Sequence, residues 1–223
     1  MPRVHLLRFL LIVLCLSMLA GSLFAAHHFN RGQISLAYLV QADGAIRRNS
    51  PGRAIHYQRL YLEDAPNDVR VLKSQAQLLA RRTDADSLDE AHVLFERLLM
   101  LRSEDCEARR TLIDLTLKAV RYADAQHHIE ELLKSSPPTA KLLCGLAYCR
   151  WSSLDYSNAR RHLESALVVQ PDHREAAESL FDLGFQTRDR ELMELALCFL
   201  CAYSSEERET AVRFLRFLQF PIR

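Results

Sequence analysis

The stretch Asp155-Tyr156-Ser157-Asn158-Ala159-Arg160-Arg161-His162-Leu163-Glu164-Ser165-Ala166-Leu167-Val168-Val169-Gln170-Pro171 decides how the rest of the chain is read. Its Ala159 has counterparts at Ala125 and Ala91, at steps of 34 residues. Four positions after the three alanines come Phe95, Ile129 and Leu163; seven after come Leu98, Leu132 and Ala166; twelve after come Ser103, Pro137 and Pro171. A fixed period of this length marks a unit that cannot bury its apolar face alone and stacks on copies of itself. The expected fold is all-α, an α-solenoid of antiparallel helix pairs.

The frame extends both ways. A further step reaches Met193, Leu197 and Leu200, with Ser205 in the proline column, and upstream Ala54, Gln58, Tyr61 and Pro66 repeat the offsets. Ala54 lies 37 residues before Ala91, so three extra residues are expected in the polar run Arg81–Ser87, where a loop absorbs insertions cheaply. Offsets of four and seven share one helical face. The alanine admits a neighbouring backbone, the larger residues fill the space beside it, and the proline column stops the helix. The other helix of each pair precedes the alanine: Asp68 to Arg82, Cys106 to Val120, Ala140 to Trp151 and Arg174 to Thr187 carry apolar residues at three and four spacing. Turns such as Arg121-Tyr122-Ala123-Asp124 and Thr187-Arg188-Asp189 join the halves.

In its small-x3-bulky-x2-apolar-x4-Pro pattern, and in the Asp155-Tyr156 turn before it, the chain resembles the tetratricopeptide repeat (TPR) family over about residues 35–207. Gly145 and Tyr148 resemble that family's glycine-x2-tyrosine in the first helix. Gly145 lies 14 residues before Ala159, against about 12 in the family pattern. The difference reads as two extra residues in the turn Trp151–Leu154, the alternative being a fortuitous glycine. Arg109 and Gln75 depart from the first-helix pattern. The division expected is a degenerate first repeat at 31–68, repeats at about 69–105, 106–139, 140–173 and 174–207, and a capping helix and tail at 208–223. In that last segment Ala211, Phe214, Leu215 and Leu218 continue the frame, as the end of a solenoid requires.

Residues 1–30 are a different object. Arg3 and Arg8 precede an uncharged run from Phe9 to Ala26. Phe9, Leu10, Leu11, Ile12, Val13, Leu14, Leu16, Leu19, Leu23 and Phe24 are the residues expected to form a membrane anchor. The run is near the lower length limit for a spanning helix, and a signal-anchor or transmembrane segment is expected. The alternative is a signal peptide whose cleavage leaves an exported soluble domain. With positive residues before the span, the repeats lie across the membrane, in the periplasm if the chain is bacterial. The TPR resemblance with this anchor suggests a bacterial envelope protein.

Beyond residue 30 the chain carries 27 basic and 28 acidic side chains. No basic domain or stripe is present, so nucleic acid is not an expected partner. Six glycines and seven prolines suit helices joined by short turns. Cys198 and Cys201 form C-x-x-C, but inside a second helix rather than at the helix N-terminus that stabilises a thiolate, and without a second ligand pair for zinc. They read as buried core cysteines, as do Cys144 and Cys149. The five cysteines outside the apolar run do not suggest a disulfide framework. His127-His128 reads as a solvated helix flank, because adjacent helical residues point about 100 degrees apart and do not share an ion easily. His27-His28 reads as an interfacial pair. No metal or cofactor is expected.

The resemblance implies a concave groove lined by first helices that receives proteins or peptides. Carried onto this frame, the groove shows Arg70, Lys73, Arg81, Arg110 and Lys118 toward the N-terminus. Tyr148 and Trp151 follow, then Glu175, Glu178, Asp182 and Phe185. Such a charge gradient orients an extended partner, and aromatics and arginine are common energetic anchors. The lysine and asparagine set by which some family members hold a terminal carboxylate is not matched. The expected function is a non-catalytic, membrane-anchored interaction scaffold. The alternatives are a thiol or metal protein using Cys198 and Cys201, and a helical-array enzyme with Glu175, Glu178 and Asp182 as its acid-base cluster.

Overall fold

The computed structural model describes residues 17–19, 21–22 and 33–203, and these contain helices and turns with no strand. Nearly all of the apolar run Phe9–Ala26, the pair His27-His28 and the expected cap at 208–223 lie outside them. Among the described residues no helix is long and apolar enough to cross a membrane. The chain divides into two compact units, Met1–Ser103 and Glu104–Arg223.

The N-terminal unit holds α1 (33–47), α2 (Pro51–Asp64), α3 (Val69–Ala80) and α4 (Ala85–Leu101). The C-terminal unit holds α5 (Cys106–Lys118), α6 (Tyr122–Leu133), α7 (Ala140–Ser152), α8 (Tyr156–Val169), α9 (Arg174–Thr187) and α10 (Arg190–Tyr203). Within each unit, sequence neighbours from α2 to α4 and from α5 to α10 pack against one another, and α7 also meets α9. Ala91, Ala125 and Ala159, with Phe95, Ile129, Leu163, Leu98, Leu132 and Ala166, are all 0 % exposed. The 34-residue lattice is therefore the core of both units, with each alanine admitting a neighbouring helix.

The helix starts are chemically marked. Asp68, Asp84, Asp105, Thr139, Asp155 and His173 each accept a backbone N–H from the first turn of the following helix through a side-chain atom. Asp189 does the same for Leu192 at 3.1 Å. The contacts of Asp84 with Ser87 and Arg82 hold its carboxyl down at about 2.

The turns inside the hairpins share one geometry. Asn49, Val120, Leu154 and Arg188 have φ of 51, 59, 60 and 57 degrees, the left-handed region. Each lies five residues before the frame position of its repeat, Ala54, Ala125, Ala159 or Met193. The amides of Ser50, Arg121, Asp155 and Asp189 then reach back to the carbonyls of Ala45, Thr116, Arg150 and Gly184 at 2.9, 2.8, 2.9 and 2.8 Å, the bond that closes a helix in the Schellman motif. The turn between α5 and α6 is thus centred on Val120, and Tyr122-Ala123-Asp124 already belong to α6.

Two spacing expectations resolve here. The starts of α5 and α6, of α7 and α8, and of α9 and α10 are all 16 residues apart, so no insertion sits at Trp151–Leu154. The residue 12 before Ala159 is Ala147, fully buried, which takes the small-residue place expected of Gly145. The three residues between the Ala54 and Ala91 frames do lie at Ala85–Ser87, but as an added first turn of α4 rather than as loop. At the frame position 86 that turn replaces the left-handed corner found in the other hairpins.

Candidate functional site

The face made by the first helices α5, α7 and α9 of the C-terminal unit is bound together by side chains about one period apart. Lys141 Nζ of α7 donates to Asp114 of α5 at 2.7 Å. Tyr148 of α7 meets Ser179 Oγ of α9 at 2.7 Å and donates to Glu175 Oε1 at 3.2 Å. Because Tyr148 has one proton, Ser179 supplies the hydrogen of the shorter contact. Trp151 Nε1 donates to Gln186 Oε1 at 2.6 Å, and Gln186 Nε2 donates to Tyr156 at 3.3 Å. Tyr148 and Trp151 are partly buried against the core formed by α7, α8, α9 and α10. Burial pushes the Tyr148 hydroxyl up to about 12.

The residues expected in the groove therefore fall into two groups. Tyr148, Trp151 and Glu175 join adjacent repeats, while Glu178 pairs with Arg174 of its own helix at 2.6 Å. Arg110, Lys118, Asp182 and Phe185 are exposed. Phe185 is 66 % exposed although aromatic. It stands one turn beyond Asp182 on α9 and next in sequence to the bonded Gln186. In the N-terminal unit Arg70 is exposed and lies 3.8 Å from Asp68, Lys73 is half-buried on α3, and Arg81 is exposed at the end of that helix.

Ser179, Gln186 and the Asp114–Lys141 pair were not singled out from sequence. Their signal is the separation from their partners, between 27 and 35 residues. It becomes informative only after the period is known.

The cysteines divide in a way the frame did not anticipate. Cys144 and Cys149 are buried, and burial raises their thiols to about 12 and about 11. Cys198 is instead exposed and Cys201 half-buried. Cys198 lies five positions after Met193, the place held by Glu130 and Glu164 in earlier repeats, which is the solvent side of the second helix. His128 also departs from expectation. His127 is exposed, but His128 is buried, with Nδ1 3.5 Å from Arg109 Nη1. Among the described residues no group of three histidine, cysteine or acidic side chains is arranged to hold a metal.

No family model matches the chain. A TPR repeat-containing protein of Pseudomonas aeruginosa is 23% identical over 142 residues, which are 63% of this chain and 23% of that protein. The chain thus spans about a quarter of that relative's length. Among solved structures, MamA (residues 41 to the end) from Desulfovibrio magneticus has a TM-score of 0.63 at 19% identity, covering 78% of this chain and 96% of that one. YrrB, described as a TPR protein with an unusual peptide-binding site, has a TM-score of 0.65 at 14% identity, covering 80% and 90%. PilF of Pseudomonas aeruginosa has a TM-score of 0.56 at 15% identity, covering 87% and 95%. Repeat period, helical hairpins and these likenesses agree that the chain has the all-helical fold of the tetratricopeptide-repeat solenoids.

Proposed function

We propose that this chain is a non-catalytic interaction scaffold, anchored in a membrane by residues 1–30, whose first helices bind a protein or peptide. On this reading the repeats at about 69–105, 106–139, 140–173 and 174–207 follow a degenerate repeat at 31–68 and are closed by 208–223, and they lie outside the cytoplasm of a bacterial cell. The observation that carries the binding face is Phe185. An aromatic ring two-thirds exposed beside Asp182, on a helix fixed to its neighbour by Tyr148 and Trp151, is a preorganised contact for a partner side chain. Arg110 and Lys118 on α5 and Asp182 on α9 give that face charges of opposite sign at its two sides, which favours one direction of an extended partner.

Photocrosslinking in native membranes tests this. A crosslinker in place of Phe185 is expected to capture a partner that one at the exposed outer position Ser165 does not, and Asp182→Lys is expected to reduce the capture. Equal capture from Phe185 and Ser165 overturns the assignment of the face. Alkaline extraction of the same membranes tests the anchor: release of the intact chain rejects it.

A further inference from the structure

A cleft of about 320 Å³ opens between α1 and α2 in the N-terminal unit. Val40, Gln41, Gly44, Ala45, Arg48, Ser50, Arg53 and Tyr57 line it. The lining holds two guanidinium groups and no carboxylate. Neither arginine has an acidic neighbour one helical turn away in the sequence. The positions four residues from Arg48 and Arg53 along the chain are Gly44, Gly52, Asn49 and Tyr57, none of them acidic. Arg59 on α2 contrasts with them, since it meets both carboxylate oxygens of Glu90 at 2.8 Å.

The other groups on this wall are donors or space. The N-cap Ser50 does not cap α2; its hydroxyl lies 3.4 Å from the Arg48 carbonyl. The first amides of α2 thus lack the usual side-chain acceptor, and the positive end of the helix adds to the arginines. Tyr57 is steadied by the ring of Tyr38, stacked with centroids 6.5 Å apart. A Cβ placed on Gly44 would meet nothing within 4 Å, so the wall there is open.

We propose that this cleft binds a phosphate-class anion through Arg48 and Arg53. Guanidinium forks match phosphate oxygens in paired hydrogen bonds, and the tyrosine, serine and glutamine of the lining supply further donors. The same chemistry is presented by a soluble phosphorylated ligand and by an anionic lipid headgroup.

Hydrogen exchange of segment 44–57 in the full chain, kept in neutral detergent at constant ionic strength, tests the site with inorganic phosphate as probe. A second arm uses bicelles of zwitterionic lipid with and without an anionic phospholipid. At phosphate twice its dissociation constant, exchange is expected to slow about threefold. The slowing is expected to vanish in Arg48→Gln/Arg53→Gln and to persist in Arg59→Gln. Both arginines of the double variant are exposed, so folding is expected to survive, and circular dichroism checks it. Protection by free phosphate assigns a soluble ligand, and protection by anionic bicelles alone assigns a headgroup; either supports the site. Protection in neither arm, or equal protection in the double variant, overturns it.

Discussion

The Tyr148 hydroxyl of α7 stands 2.7 Å from the Ser179 hydroxyl of α9, so the first helices of successive repeats are joined at a part-buried hydroxyl pair rather than by apolar packing alone. Tyr148→Phe leaves the Ser179 donor without this partner and is expected to cost about 1 kcal/mol of stability. Because burial raises the hydroxyl from its ordinary 10.0 to about 12, the neutral form favours the folded state. That contribution is complete below pH 10 and is lost as pH rises from 10 to about 12. Tyrosinate absorbance gained between pH 10 and about 12 is expected to shrink in Tyr148→Phe.

Two glycines on first helices are expected to differ in their response to alanine. A Cβ on Gly184 would lie 2.9 Å from Met193 Cγ, 3.0 Å from the Met193 amide nitrogen and 3.1 Å from the Asp189 carbonyl oxygen, and the latter two are backbone. Gly184→Ala is therefore expected to destabilise by about 1–3 kcal/mol despite alanine's better helix propensity. On Gly145 the Cβ would meet only the ends of Ile129 and Leu117, at 2.9 and 3.1 Å. Both can rotate away, and Gly145→Ala is expected to be close to neutral. Thermal unfolding of the two variants decides the contrast.

Gln75 occupies the column held by Leu112, Leu146 and Leu180, six residues into each first helix. It is 2 % exposed, and its Oε1 has no hydrogen-bond partner. An orphaned buried acceptor carries its full desolvation penalty, so Gln75→Leu is expected to raise stability by about 1–3 kcal/mol. Denaturant midpoints measure it, and a lower midpoint rejects the reading. Gln58, in the column of Phe95 and Ile129, also has an unpartnered Oε1, although its Nε2 donates to Ser74 at 2.8 Å.

Val120 holds a left-handed corner with a β-branched side chain, the residue type least suited to it. Val120→Gly is expected to stabilise by about 0.5–1 kcal/mol, the relief of strain less the glycine's extra freedom in the unfolded chain. The same change at Asn49 is expected to gain less, because asparagine tolerates this conformation. Parallel unfolding curves compare the two.

Thiol labelling is expected to follow burial. At neutral pH Cys198 reacts first, while Cys144 and Cys149, buried and raised to about 12 and 11, react only when the protein unfolds. Mass spectrometry of labelled peptides reads the order. Early modification of Cys144 would reject its placement in the core.

The period made the core legible, because a residue that must be buried in every copy leaves a mark at fixed spacing. Ala91, Phe95 and Leu98 are identifiable as core from the sequence alone. The corners between first and second helices are less legible: Val120, Leu154 and Arg188 share a backbone angle but no side-chain chemistry, so the repeat of conformation leaves no repeat of residue type. Cys198 lies between the apolar Leu197 and Phe199, which reads as a buried position, although its offset of five belongs to the exposed flank. The groove was legible only as a set of positions. That Trp151 and Tyr148 are occupied by Gln186 and Ser179, and Phe185 is not, depends on rotamers that spacing does not encode.

The added turn at Ala85–Ser87 shows where this architecture can change length without losing phase. The three residues enter upstream of Ala91, and Phe95 and Leu98 still meet the core at their usual offsets. Each second helix is indexed from its alanine outward, so its beginning is a free margin and its interior is not. Insertions at the starts of second helices should therefore be the variation that such an array accommodates, whereas one residue added between Ala91 and Leu98 would turn the remaining face by about 100 degrees and break the hairpin.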